Sequence, residues 1–292
     1  MHALIQGVIF GVLTAGVYAL MASGQTLIFG IMKIINLAQG AMVILGAYLA
    51  YQLFTSFGID PFLAIPITTV LMFGLGVAVQ LVFLRPLRAQ DKSELSLLVT
   101  FAVALLIEGV LSVTWRTTDR SINTSYANAS WTILGYQITM VRLWAFLLSL
   151  AVLALLFLLL NRTRFGRAVR AVVQNPESAR LLGVEAQWIS ALGFGIGAAT
   201  AAAAGSVYGL VYPFNPGSHY DLISRLLSIV VLGGMGSIGG AVIAAVIVST
   251  SSAIVASTVS PAWSEMTFFV ILILVLLVRP QGLFGTVGRG AI

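Results

Sequence analysis

Apolar residues in this chain come in long unbroken runs. The runs are Leu4–Phe29, Leu37–Phe54, Phe62–Leu84, Leu95–Trp115, Leu143–Leu160, Trp188–Tyr212, Leu222–Ala256 and Trp263–Val278. A helix needs about 20 apolar residues to cross the hydrocarbon core of a bilayer. The strict alternation of half-buried strands is absent, and open sheet edges cannot face lipid. The pattern therefore predicts an all-α fold: a polytopic transmembrane helical bundle of about eight membrane segments, forming one domain over residues 1–292. The seventh run is long and interrupted by glycines, which predicts one helix plus a half-helix, a broken or re-entrant crossing. The first run continues irregularly into the second, which leaves the side of the N-terminus open.

Composition sharpens this picture. Of 292 residues, 59% are hydrophobic and 8% charged, against about 25% charged in soluble domains. A mean hydropathy of +1.04 leaves too little polar surface for a water-facing body, so most of the surface must face lipid. The net charge of +6 does not point to nucleic acid, because the basic residues sit between the apolar runs. Lys33, the Arg85–Glu94 loop (Arg85, Arg88, Lys92), the Asn161–Gln187 loop (Arg162, Arg164, Arg167, Arg170, Arg180) and the tail (Arg279, Arg289) carry eleven of them. The Arg116–Arg142 region carries three, and Arg225 stands apart. The excess places the first group in the cytoplasm and Arg116–Arg142 outside. That outer stretch holds two glycosylation-type triplets, Asn123-Thr124-Ser125 and Asn128-Ala129-Ser130. The absence of cysteine and the presence of only two histidines argue against thiolate or histidine metal sites. The N-terminus lacks a basic n-region, so its first apolar run reads as a retained span.

Helix punctuation supports the segmentation. Ser260-Pro261 reads as an N-cap followed by a first-turn proline, and Arg279-Pro280-Gln281-Gly282 ends the last run. The most informative punctuation lies in the cytoplasmic loop 161–187. Asn175 is a good N-cap, Pro176 fits the first turn, Glu177 complements the positive helix end, and Gly183 supplies a stop. A helix of about two turns is thus displayed in the cytoplasm, mixing Arg180 with Ala179, Leu181 and Leu182. Such a helix suits a groove on a soluble partner; it also suits an ordinary loop that caps two helices.

This loop resembles the coupling loop of the branched-chain amino-acid ABC-transporter permeases. The segment Leu27–Ala41 resembles that family's N-terminal signature. Val231–Ala241 resembles its C-terminal one, and Arg279-Pro280-Gln281-Gly282-Leu283-Phe284-Gly285 is similar to its closing pattern. Many family members carry His where this chain has Gln39, and some carry an acid at Ala41. The resemblance implies a cell inner-membrane permease subunit, not an enzyme, with no cofactor of its own. It implies pairing with a second permease, two cytoplasmic ATPases that hydrolyse ATP, and a periplasmic substrate-binding protein. The chain itself has no G-x-x-x-x-G-K-[ST] loop to hold nucleotide phosphates. By this resemblance Arg167, Arg170, Asn175, Pro176, Glu177, Arg180 and Gly183 form the ATPase contact.

Other positions admit a pathway or a packing role. Gly234-Met235-Gly236-Ser237-Ile238-Gly239 matches G-x-G-x-x-G without a βαβ context. Gly233, Gly234 and Gly236 therefore belong to close packing or to a bent, gating helix. Gly193/Gly197 and Gly205/Gly209 have the spacing of tight helix contacts. Glu108 stands alone in an apolar run and should face the bundle interior. Asn36 and Gln39 either hydrogen-bond a solute or satisfy a broken helix. Asp221 and Arg225, four apart with the acid first, predict a local helix pair, an interfacial anchor rather than a substrate clamp. No internal repeat is obvious in the residues, although an inverted repeat would suit a transporter. The leading expectation is an ABC importer permease for branched-chain amino acids working by alternating access. A same-fold permease for urea, short amides or other amino acids is the first alternative. An ion-driven transporter is the second, opposed by the scarcity of intramembrane carboxylates.

Overall fold

The apolar runs become helices in the computed structural model, which describes residues 2–87, 92–124, 126, 129–133 and 135–285. Arg88, Arg289, Ser125 and Asn128 lie outside the described residues, and with them parts of the basic-loop count and of both glycosylation triplets. The elements are α1 (His2–Met32), α2 (Gln39–Phe57), α3 (Pro61–Val79, prolonged by a π turn at Gln80–Leu84), α4 (Lys92–Trp115), β1 (Ser130–Ile133), β2 (Tyr136–Thr139), α5 (Met140–Arg162), α6 (Arg164–Gln174), α7 (Pro176–Leu181), α8 (Ala186–Val211), α9 (His219–Gly233), α10 (Ile238–Thr258) and α11 (Pro261–Val278). Among the described residues eight helices are long and apolar enough to cross a membrane: α1, α2, α3 with its π turn, α4, α5, α8, α10 and α11. The seventh apolar run divides into the 15-residue α9 and the full-length α10.

Caps fall where punctuation placed them. Asp60 accepts from Phe62 N and Ser260 from Ala262 N, each just before a first-turn proline. Two features differ from the all-helix expectation. The outer region holds a short antiparallel hairpin, Ser130–Ile133 against Tyr136–Thr139, turned by Gly135 at φ +84°. Four-residue strands are too brief to register as alternation, and outside the bilayer their edges are free to meet water. A separate helix, α6, also precedes the predicted handle.

The hairpin fixes the side of the N-terminus. His2 Nε2 meets Gly135 O at 3.2 Å, and Gln6 bonds Gln137 at both its amide atoms. The N-terminus thus lies with the outer region. At the other end of α1, Leu27 and Ile31 pack with Val169, Val172 and Ala179 of the basic loop. Nine passes, counting α9, bring the C-terminal end of α11 to this cytoplasmic side. Tyr126, in the outer region, donates to Asp60 Oδ2 at 2.6 Å. Burial, and next this bond, raise its hydroxyl above the ordinary phenol range.

Helix α8 is the axis of the bundle. Its small residues let three neighbours approach: Gly193 meets Ile31 and Gly197 meets Ile28 and the Gly24 carbonyl on α1, Gly205 touches the Val43 carbonyl on α2, and Gly195 meets Val77 and Phe73 on α3. This is the small-residue packing of membrane helices.

An inverted repeat is visible in the packing. Helix α1 descends from the outer side, the chain breaks at 33–38, and α2 and α3 follow. Helix α8 rises from the cytoplasm, the chain breaks at 212–218, and α9 and α10 follow. The two most extensive helix contacts are α1 with α10 and α3 with α8, so the first helix of each unit packs on the third of the other. Each break carries an Asn and a capping partner three residues on. Asn36 Nδ2 donates to Gln39 Oε1 at 3.2 Å, and Asn215 with Ser218 forms a reciprocal capping box. The helices after the breaks start against each other, since a Cβ on Gly40 would stand 2.6 Å from His219 O.

Candidate functional site

The cytoplasmic handle is built in two parts. Helix α6 begins at Thr163, whose hydroxyl accepts from Gly166 N at 3.2 Å. Its residues Val169 and Val172 are buried against α1, α5 and α8, while Arg167 and Arg170 stay exposed. Arg170 Nη1 donates to Leu160 O at 2.6 Å, which ties α6 to the end of α5. A guanidinium set against a last-turn carbonyl complements the negative end of α5.

Helix α7 follows with its cap formed as the residues predict. Asn175 Oδ1 accepts from Glu177 N and Ser178 N, both at 3.0 Å, with Pro176 at the first position. Gly183, at φ +80°, ends it in a conformation that favours glycine. Only Ala179 is buried, at 2%; Glu177, Ser178 and Arg180 are exposed. Leu181 and Leu182 stand 89% and 81% exposed. Full burial of a leucine is worth about 1.5–3 kcal/mol, and Leu181 and its C-cap neighbour Leu182 forgo it within this chain. The seven residues Arg167, Arg170, Asn175, Pro176, Glu177, Arg180 and Gly183 come together in this unit. The two leucines belong with them, and their signal was the apolar pair just before the Gly183 stop.

The other positions separate into three places. Asn36 and Gln39 are fully buried at the first break. Asn36 Oδ1 accepts from Ala38 N at 3.1 Å, and Gln39 Nε2 donates to Gly197 O at 3.3 Å. Gln25 pairs through its amide with the backbone N and O of Asn36, at 3.0 and 3.1 Å. Asn36 and Gln25 thus satisfy backbone groups that the break leaves without helical partners, and Gln39 ties the break to a mid-helix carbonyl of α8.

Gly233, Gly234 and Gly236 form the cytoplasmic turn between α9 and α10. The closing segment runs beside it: Leu283 N donates to Leu232 O at 2.8 Å and Phe284 N to Gly233 O at 3.2 Å. Gly234 and Gly236 have φ of +92° and +91°, and a Cβ on Gly234 would strike Gly285. The two C-terminal motifs are therefore halves of one packed structure.

Glu108 lies on α4 near the second break. Its Oε2 takes both available donors, His219 Nε2 at 3.1 Å and Tyr220 Oη at 2.9 Å. Its side chain is 25% exposed and that of His219 3%, so it faces α9 and also the outside of the chain. The expected Asp221–Arg225 pair does not form. Arg225 instead bonds Tyr18 Oη at 3.1 Å and Glu265 Oε1 at 3.0 Å, because its long side chain reaches the neighbouring α1 and α11 while Asp221 stays exposed. Leaving aside charges within one turn of either membrane face, Glu108, Asp221, Arg225 and Glu265 are the charged residues of the crossing helices. All four gather around the first half of α9. One such group at bilayer depth costs about 2.5–3.5 kcal/mol, so this face is not built for lipid.

A cavity of about 550 Å³ lies elsewhere, at the outer ends of α3 and α5, lined by Phe62, Tyr126, Trp144, Leu147 and Leu148 with Asp60. It is almost wholly apolar and shares no residue with the handle or the breaks.

A family model described as branched-chain amino acid transport system, permease component, matches residues 7–276. The chain belongs to this family. It is 28% identical over 294 residues to the high-affinity branched-chain amino acid transport system permease protein BraD of Pseudomonas aeruginosa, covering 96% of this chain and 95% of the relative. The corresponding permease protein LivH of Escherichia coli is 29% identical over 289 residues, with 94% and 93% covered. A probable LivH of Methanocaldococcus jannaschii is 26% identical over 287 residues, with 94% and 90% covered. No solved structure matches. The permease is thus a multi-pass membrane transport component and not an enzyme, of a family whose members work with ATPase and binding-protein partners.

Proposed function

We propose that this permease is the inner-membrane subunit of an ABC importer for branched-chain amino acids. A periplasmic binding protein delivers leucine, isoleucine or valine at the outer face, where the hairpin and the N-terminus lie. Two cytoplasmic ATPases drive the cycle, and a second permease, a paralogue or a second copy, completes the passage. ATP is bound and hydrolysed by the partner subunits.

The observation that carries this reading is the handle. A rigid, capped six-residue helix presents Glu177, Arg180 and two bare leucines to the cytoplasm. Amphipathic helices dock in grooves through such anchors. The handle is not loosely attached: α6 packs on the inner ends of α1, α5 and α8 together. A push on α7 therefore reaches both units of the inverted repeat, through α1 in one and α8 in the other. Rocking one unit against the other around a central site is how such repeats achieve alternating access.

The test is uptake of labelled leucine into vesicles. The permease reconstituted with its ATPases, partner permease and binding protein accumulates leucine when ATP is supplied. Accumulation by this polypeptide alone would overturn the proposal. Preference for urea over leucine, with the same ATP requirement, would replace the substrate and keep the mechanism.

A further inference from the structure

We infer that the face of α9 bearing Tyr220, Asp221, Ser224 and Arg225, flanked by Glu108 and Glu265, lines the solute pathway and takes the zwitterionic head of an amino acid. The inference rests on the proposed importer function and says where within it the solute is held.

Depth is the first argument. Counted from the cytoplasmic ends of their helices at about 1.5 Å per residue, Glu108, His219 and Glu265 lie about 24, about 21 and about 20 Å up, within a hydrocarbon core of about 30 Å. Three helices thus bring polar groups to one level, and α9 ties them together through the His219–Glu108 and Arg225–Glu265 contacts.

Exposure is the second. Tyr220 is 45% exposed, and the side chain of Glu265 67%. Asp221 is exposed, and Ser224 and Arg225 are half-buried. Charged side chains inside a bilayer face the bundle interior or a water-filled cavity and mark solute pathways. Here they face outward from the chain, so their water-filled space is closed by another subunit.

Chemistry is the third. An α-amino acid presents an ammonium and a carboxylate a few bonds apart. Glu108 receives both of its donors on Oε2, and Asp221 makes no ion pair among the described residues. These carboxylates suit the ammonium. Arg225 is held over the Phe268 ring and against Tyr18, which presents its guanidinium to a solute carboxylate in place of Glu265. At membrane depth the first break offers no such group, since Asn36 and Gln39 are buried and bonded within the bundle, and its exposed Lys33 sits at the cytoplasmic end of α1.

The chain has no cysteine, so single cysteines report cleanly. Ser224→Cys and, separately, Asp221→Cys are placed in the complete transporter, with Leu150→Cys on the lipid-facing side of α5 as control. The cysteine thiolate, which needs water to form, attacks the thiol-level sulfur of a charged, membrane-impermeant methanethiosulfonate reagent, forming a mixed disulfide and releasing methanesulfinate. The expected result is modification at least about tenfold faster than at Leu150→Cys, slowed when the binding protein delivers leucine. Reaction no faster than the control at both positions would overturn the inference. Rapid reaction that leucine leaves unchanged would also overturn it, because water would then reach a face that holds no solute. If the native transporter imports no leucine, the importer proposal fails on that separate reading, and relative accessibility still decides whether this face lines a pathway.

Discussion

The two broken crossings use one device and fill it differently. At 33–38 the amides of Asn36, Gln39 and Gln25 are bonded to backbone or to one another, so the break is sealed at membrane depth, and its charged residue, Lys33, is exposed at the cytoplasmic end of α1. At 212–218 the break is capped by Asn215 and Ser218, yet the helix after it opens onto Glu108, Asp221, Arg225 and Glu265. The difference teaches that interrupting a helix at membrane depth is not itself a sign of a solute site. Backbone polarity must be satisfied in either case; what distinguishes the second break is charge left facing outward at bilayer depth.

Mutations can break this comparison. The largest effect is expected from Gly40→Val, where the two starts meet. Its Cβ would fall 2.6 Å from His219 O and 3.1 Å from Ile223 N, and backbone cannot yield as a flexible side chain does. Overpacking of this kind costs about 1–3 kcal/mol or more, so recovery of monodisperse permease in detergent should fall sharply; normal recovery would deny the close approach. Next comes Gln39→Leu, which strands buried groups at about 1–3 kcal/mol. Thermal unfolding should shift downward, while leucine uptake per folded molecule stays within about twofold, a tolerance equal to some 0.4 kcal/mol. Glu108→Gln should do the reverse: uptake drops while unfolding changes little, because an amide still accepts from Tyr220. Were the two variants to behave alike, the contrast between sealed and open breaks would be wrong. The smallest effect is expected at Asn175→Ala, where loss of a cap costs about 1 kcal/mol. It should weaken ATPase binding without moving global unfolding, since α7 is exposed.

Much of this architecture is legible in the sequence. The spans follow from the length of apolar runs, and the broken seventh run from its glycines. The handle follows from Asn175, Pro176 and Gly183, because cap chemistry is local. Contacts across long stretches of sequence were not legible. Glu108 and His219 are 111 residues apart, and nothing near either announces the other. Arg225 was expected to bond four residues back, as local spacing suggests, but its length lets it reach Glu265, 40 residues on. The inverted repeat was hidden because Asn-x-x-Gln and Asn-x-x-Ser cap by different atoms and share little sequence. The side of the N-terminus needed the hairpin, whose strands are too short to read.

Force entering through the handle is the claim on which the rest depends. Its most direct test is the complete transporter in vesicles with Glu177 and Arg180 both reversed in charge and Leu181 and Leu182 both changed to Ser. These side chains are exposed, so the permease should fold and unfold as the native chain does. ATP-driven leucine uptake should fall to the level seen without ATPases. Uptake at the native rate from that fourfold variant would contradict the account.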